Sequence, residues 1–69
     1  MSDNVYKKIE IVGTSGTSLE DAIQSAVTKA AQTVRRMAWF EVEEIRGAIK
    51  EGQVSQWQVA VKIGFTLED

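Results

Sequence analysis

"VSQWQVAVKIGFTL", residues 54–67, decides the fold. Trp57, Val59, Val61, Ile63, Phe65 and Leu67 fall on one parity, and Gln56, Gln58, Ala60, Lys62, Gly64 and Thr66 on the other. A period of two is the mark of a β-strand with one apolar face. Immediately before it, "KEGQ" (50–53) reads as a turn with Gly52 inside it. A turn this short makes the preceding segment, residues 39–50, the antiparallel partner of a hairpin.

That partner belongs to "MAWFEVEEIRG" (37–47), which places two large aromatics side by side. Neighbouring side chains of a strand point to opposite faces, so only one of Trp39 and Phe40 can enter the core. Phe40 and Val42 agree in parity and are assigned inward, towards the helix. Trp39, Glu41 and Glu43 then lie on the opposite, polar face. Farther on, Ile45 and Ile49 break the parity. A bulge near Glu43–Glu44 restores it by placing one extra residue in the strand. Such a shift brings Arg46 to the face of Trp39. The turn at 51–52 sets Gln58 near Ile45 without a bulge, shifting towards Glu44 with one. Trp39 falls near Gly64. Trp39 and Gln58 thus share a face without touching within one chain. A joint site needs a long ligand, a strongly twisted sheet or a second subunit.

Upstream, "VYKKIEIV" (5–12) has Val5, Ile9 and Ile11 on one parity and reads as a strand. "GTSGTS" (13–18) is a turn, with Ser18 as the N-cap and Asp21 three residues on, a variant of the capping box. Glu20 and Asp21 suit the positive end of a helix dipole. Leu19, Ala22, Ile23, Ala26, Val27, Ala30, Val34 and Met37 recur at spacings of three and four, predicting a helix from Leu19 to Met37. Arg35 and Arg36 would close its last turn, complementing the dipole. The stripe is rich in Ala, so the helix can lie close against a sheet.

The order strand, helix, strand, strand gives an α+β fold: a β-α-β-β subunit whose three-stranded antiparallel sheet wraps one helix, with residues 1–69 as a single domain. One helix cannot cover a strand this long, so apolar surface must meet another subunit. Size points the same way. A chain of 69 residues is usually marginal alone and is stabilised by a disulfide, a metal, oligomerisation or an unusually good core. It has no Cys and no His, which excludes disulfides and imidazole or thiolate metal sites. A carboxylate site for magnesium or calcium has no loop signature.

Composition narrows the function further. Eight basic and ten acidic residues give a net charge of -2. That is not the basic footprint of a nucleic-acid binder or of a membrane-surface protein. No apolar run approaches the roughly 20 residues that span a bilayer, and "MSDNVYKK" is not a signal peptide. The expected location is the cytoplasm. Without His or Cys, a base or nucleophile would have to be Lys, Tyr or a carboxylate, and no acidic pair or Ser–Lys motif is evident. We therefore expect no enzymatic activity. "GTSG" fits the G-x-x-G pattern of KH domains, but there the loop joins two helices, and here it joins a strand to a helix. It reads as a capped turn. Trp39 carries two readings: a ring packed into a subunit interface, or a platform on which a flat ligand stacks. Gln58 is either a solvated strand residue or the donor and acceptor for a ligand's polar edge. Arg46 could fork onto a phosphate or bridge to a neighbouring Glu.

Taken together, "VYKKIEIVGTS", the Ser-capped helix, "WFEVEEIRG" and "WQVAVKIGFTLED" resemble the dodecins, small flavin-binding proteins, over nearly the whole chain. The resemblance implies a hollow homododecamer in which flavins stack in pairs between symmetry-related tryptophans at two-fold axes. On it, Trp39 is the stacking residue and Gln58 binds the polar edge of the ring. Arg46 meets the flavin phosphate or ribityl chain, and Trp57 is core or interface. The implied cofactor is FMN, with riboflavin, other flavins and coenzyme A as further possibilities. The implied role is storage and protective sequestration of flavin, without turnover. The alternative is a self-assembling structural or protein-interaction module with Trp39 at the subunit interface. A flavin-dependent enzyme comes third.

Overall fold

Strand β3 is the centre of the sheet, which is why it is the most buried strand. The computed structural model describes residues 3–67; residues 1–2 and 68–69 of the expected domain lie outside the described residues. Its elements are β1 (Tyr6–Ser15), α1 (Leu19–Ala30), β2 (Met37–Lys50) and β3 (Gln53–Thr66). They form one antiparallel sheet with the helix on one side, as the sequence predicts; the strand order is β1-β3-β2. The hairpin turns at Glu51 and Gly52, both with positive φ (53° and 77°). That is the type I′ geometry whose twist matches the strands it joins.

The core lies between α1 and the middle of the sheet. Ala22, Ala26 and Ala30 of the helix are buried against Val59, Val61 and Ile63 of β3, with Ile9, Ile11, Leu19, Ile23, Met37 and Trp57 packed around them. The helix approaches closely because its contact stripe is alanine and because β1 offers Gly13 opposite it. A Cβ on Gly13 would collide with the Ala22 carbonyl oxygen and sit 2.8 Å from Ala26 Cβ. Among the described residues, the backbone of α1 comes near β1 and β3 and not β2. The helix-side residues of β2 are consequently left open. Phe40, Val42 and Ile45 are 48 %, 41 % and 53 % exposed. Phe40 does point to the helix side, but the helix does not reach far enough to bury it.

The boundaries differ from expectation at two places. The helix ends at Ala30, not Met37. Gln32 and Thr33 donate to the carbonyls of Lys29 and Ala30, three residues back, which tightens and closes the helix. The apolar spacing continues past this point because Met37 still packs against the core from β2, while Val34 is half-buried in the connection. Arg36 has φ 62°, where the chain reverses into β2. Arg35 and Arg36 therefore do not close the helix; Lys29 is the basic residue of the last turn. Strand β1 starts at Tyr6, one residue later than expected, and runs on to Ser15, so Gly13, Thr14 and Ser15 belong to the sheet.

The capping is also modified. Ser18 accepts from the Asp21 amide at 3.0 Å, as an N-cap should. The return bond, however, is made by Ser15. Its buried hydroxyl accepts from the amides of Thr17 (2.9 Å) and Ser18 (3.3 Å) and donates to Asp21 Oδ2 at 2.7 Å. These amides are occupied and a carboxylate already stands at the helix start, so the loop is structural.

Replacing Gly13 by Ala should lift the helix off β1 and destabilise the chain by about 1–3 kcal/mol, the usual cost of overpacking. Thermal denaturation monitored by circular dichroism measures it, and an unchanged melting temperature would contradict the close contact.

Candidate functional site

The face of the sheet opposite the helix carries all three expected site residues, and three irregularities of β2–β3 pairing put them there. The register shifts between Met37 and Trp39, between Val42 and Glu44, and between Ala48 and Ile49. The second is the bulge expected at Glu43, which has no partner across the hairpin. Beyond it Arg46 shares the face of Trp39. The third leaves Ser55 of β3 unpaired, and the Ser55 hydroxyl donates to the Ala48 carbonyl at 3.2 Å. Gln58 lies between the turn and the Glu43 bulge, so only the Ser55 irregularity moves it. It is opposite Arg46, and not Ile45 or Glu44 as expected.

Trp39 lies opposite Gly64, and its indole spreads over that glycine. A Cβ there would fall inside the ring, overlapping Cζ2 and Cε2 and coming 2.6 Å from Cη2. Tyr6, reaching across from β1, meets the indole edge-on, with centroids 5.0 Å apart and planes at 66°. Trp39 is thus held from below by bare backbone and from one side by an aromatic ring, yet remains 40 % exposed. An apolar hollow of about 250 Å³ adjoins it at the edge of β2, lined by Val27, Met37, Ala38, Trp39, Phe40 and Ile63. Gly64 and Tyr6 are the components that sequence reasoning missed. The signal for Gly64 was its register opposite Trp39, which pairing about the turn already supplied.

Next to the indole, Lys8 of β1 reaches over β3 to form an ion pair with Glu41 of β2. This hydrogen bond and the Glu41 charge raise the Lys8 pKa. The same bond, helped by the charges of Lys8 and Lys62, holds the Glu41 carboxyl below the usual range against the opposing effect of desolvation. Glu41 therefore favours the fold above its ordinary pKa, and that contribution fades as pH falls through the lowered value. Lys8 contributes below its ordinary pKa, and loses its effect as pH rises through the raised one. Lys62 bridges to Glu43 at 3.5 Å.

At the other end of this face lies a polar line. Arg46 Nε donates to Gln58 Oε1 at 2.7 Å, and Gln58 Nε2 donates to Gln56 Oε1 at 2.9 Å. Gln58 is half-buried. It lies six positions along β3 from Gly64, about 20 Å at the rise of a strand. Arg46 and Gln58 are therefore together, and Trp39 is apart from both. Trp57 is on the helix side, packed against the core.

Residues 5–68 match the family model of the dodecins. The curated dodecin of Thermus thermophilus is 54% identical over 65 residues, covering 94% of each chain. The chain belongs to the dodecin family. Among solved structures, the dodecin of Streptomyces coelicolor superposes with a TM-score of 0.94 at 49% identity, covering 100% of this chain and 99% of that one. A calcium dodecin from Mycobacterium tuberculosis, described as a calcium-chelating antigen, gives 0.80 at 31% identity, covering 93% and 91%. The dodecin fold is thus shared over essentially the full length of the described chain. Among the described residues no helix is long and apolar enough to cross a membrane.

Gly64→Ala should leave the sheet intact, since both residues fit a strand, but must displace the Trp39 indole. Tryptophan fluorescence of the ligand-free protein should shift with circular dichroism unchanged. An unaltered emission spectrum would contradict the close contact of ring and backbone.

Proposed function

We propose that this dodecin binds flavin, FMN in the first place, and stores it in a protected form within a homododecamer, without turning it over. The observation that carries the reading is the Trp39 indole laid over Gly64 with its outer side half exposed. A ring so supported is a stacking surface for a flat, electron-poor heterocycle. The residues fit such a ligand at its other end too. Gln58 spends one lone pair on Arg46 and one N–H on Gln56, leaving one of each for a polar ring edge.

The spacing of the site calls for more than one subunit. Trp39 and Gln58 are too far apart in one chain for a single ring to touch both. Both lie on the side of the sheet that α1 leaves free, and a two-fold axis would bring the Gln58 of one subunit towards the Trp39 of another. Two rings could then stack between two indoles. Arg46, bonded to Gln58, belongs to the polar end of this site. The exposed Phe40, Val42 and Ile45 on the helix side supply apolar surface for assembly.

A bound flavin supplies a redox-active, light-sensitive ring. The contribution of Trp39 is protection: an indole in van der Waals contact can give an electron to the excited ring and take it back. The excitation is then lost without net chemistry. The chain brings no His or Cys to this site, and its role is to hold and shield.

Trp39→Ala should weaken FMN binding by about 1–3 kcal/mol or more, the worth of an aromatic stack, while leaving the oligomer intact. Fluorescence-quenching titration and light scattering read the two effects. An assembly that falls apart instead would favour the alternative, in which Trp39 is an interface residue of a structural module. Gln58→Ala should cost about 1–3 kcal/mol of affinity through an unpaired polar edge. An unchanged dissociation constant would remove Gln58 from the site.

A further inference from the structure

The polar line Arg46–Gln58–Gln56 has a direction that chemistry imposes. An amide side chain can be turned either way, and its oxygen and nitrogen are told apart by their partners. A guanidinium only donates, so the atom of Gln58 that faces Arg46 Nε at 2.7 Å must be the carbonyl oxygen. The nitrogen then faces Gln56, whose oxygen accepts at 2.9 Å. Both ends of one amide are thereby fixed by neighbours from two strands. The register adds a further constraint: the unpaired Ser55 is what brings Arg46, and not Ile45, opposite Gln58.

We propose that Arg46 and Gln56 are positioning residues that clamp the Gln58 amide in one orientation, so that a ligand edge with a carbonyl beside an N–H meets one free N–H and one free lone pair already aimed. This rests on the flavin reading above. It assigns a role to Gln56, and gives Arg46 a function that does not require contact with a phosphate. Pre-set orientation favours binding because the amide does not have to be ordered when the ligand arrives.

The experiment combines flavin titrations with nitrogen-15 spectra of the side-chain amides of the deuterated, flavin-free assembly. Arg46→Met and Gln56→Leu should each weaken FMN and riboflavin by the same factor, about tenfold for one lost hydrogen bond. Neither should add to the loss in a Gln58→Ala background. In the flavin-free protein, both should move the Gln58 side-chain amide signals. A loss confined to FMN would make Arg46 a phosphate contact and overturn the clamp, as would losses that persist without Gln58. Amide signals that stay in place while flavin still binds sink the clamp alone. A wild-type assembly that binds neither flavin sinks the functional reading, and the proposal with it.

Discussion

The close seat of the helix on two strands governs the rest of the molecule. Alanines on one side and Gly13 on the other let α1 settle between β1 and β3, where it buries Val59, Val61 and Ile63. The same closeness keeps the helix from reaching β2. A bulkier stripe would hold it higher and spread its cover. As built, the chain is a slab with extents of 56 × 20 × 13 Å. It is only one sheet and one helix thick, and one strand keeps apolar residues bare. The interior is too thin to enclose a ligand of any size, so a binding site has to be made on a face.

The opposite face works by omission. Position 64 carries no side chain, and the gap is filled by Trp39, which lies down where it would otherwise stand up. Tyr6 stops its edge, while Lys8 and Glu41 close the space beside it. Farther along β3, half-buried amides replace aromatics. One face thus holds two chemically distinct ends, an apolar shelf and a polar line, separated along the strand. The proposed pairing of subunits explains why the two ends are not together in one chain.

Much of this was legible in the sequence. The alternation of 57–67 gave the central strand, Gly52 gave the hairpin, and the broken parity of Ile45 and Ile49 revealed the bulge at Glu43. Those are signals of period, and period survives without knowledge of tertiary packing. The register of Gln58 was not legible. It depends on Ser55, a residue that disturbs no apolar pattern because it lies among exposed neighbours. The end of the helix was hidden for the opposite reason: Val34 and Met37 keep the helical spacing while belonging to a turn and a strand. Gly13 and Ser15 read as loop residues because small and hydroxylic side chains usually are. Here they are a contact point and a buried cap.

The strand order also dictates the order of folding. Strands β2 and β3 are joined by a two-residue turn and can zip within about 1–10 μs, the range of hairpin formation. β1 comes from the far end of the sequence, its Tyr6 meeting Thr66, and this long loop must close before β1 and α1 together cover β3. Until then the central strand is an open edge, with the apolar residues of its helix side unshielded. Newly made chains are therefore at their most adhesive just after the hairpin forms. The local hydrogen bonds of Ser15 and Ser18 fix the corner between β1 and α1, so that strand and helix are held together by contacts close in sequence.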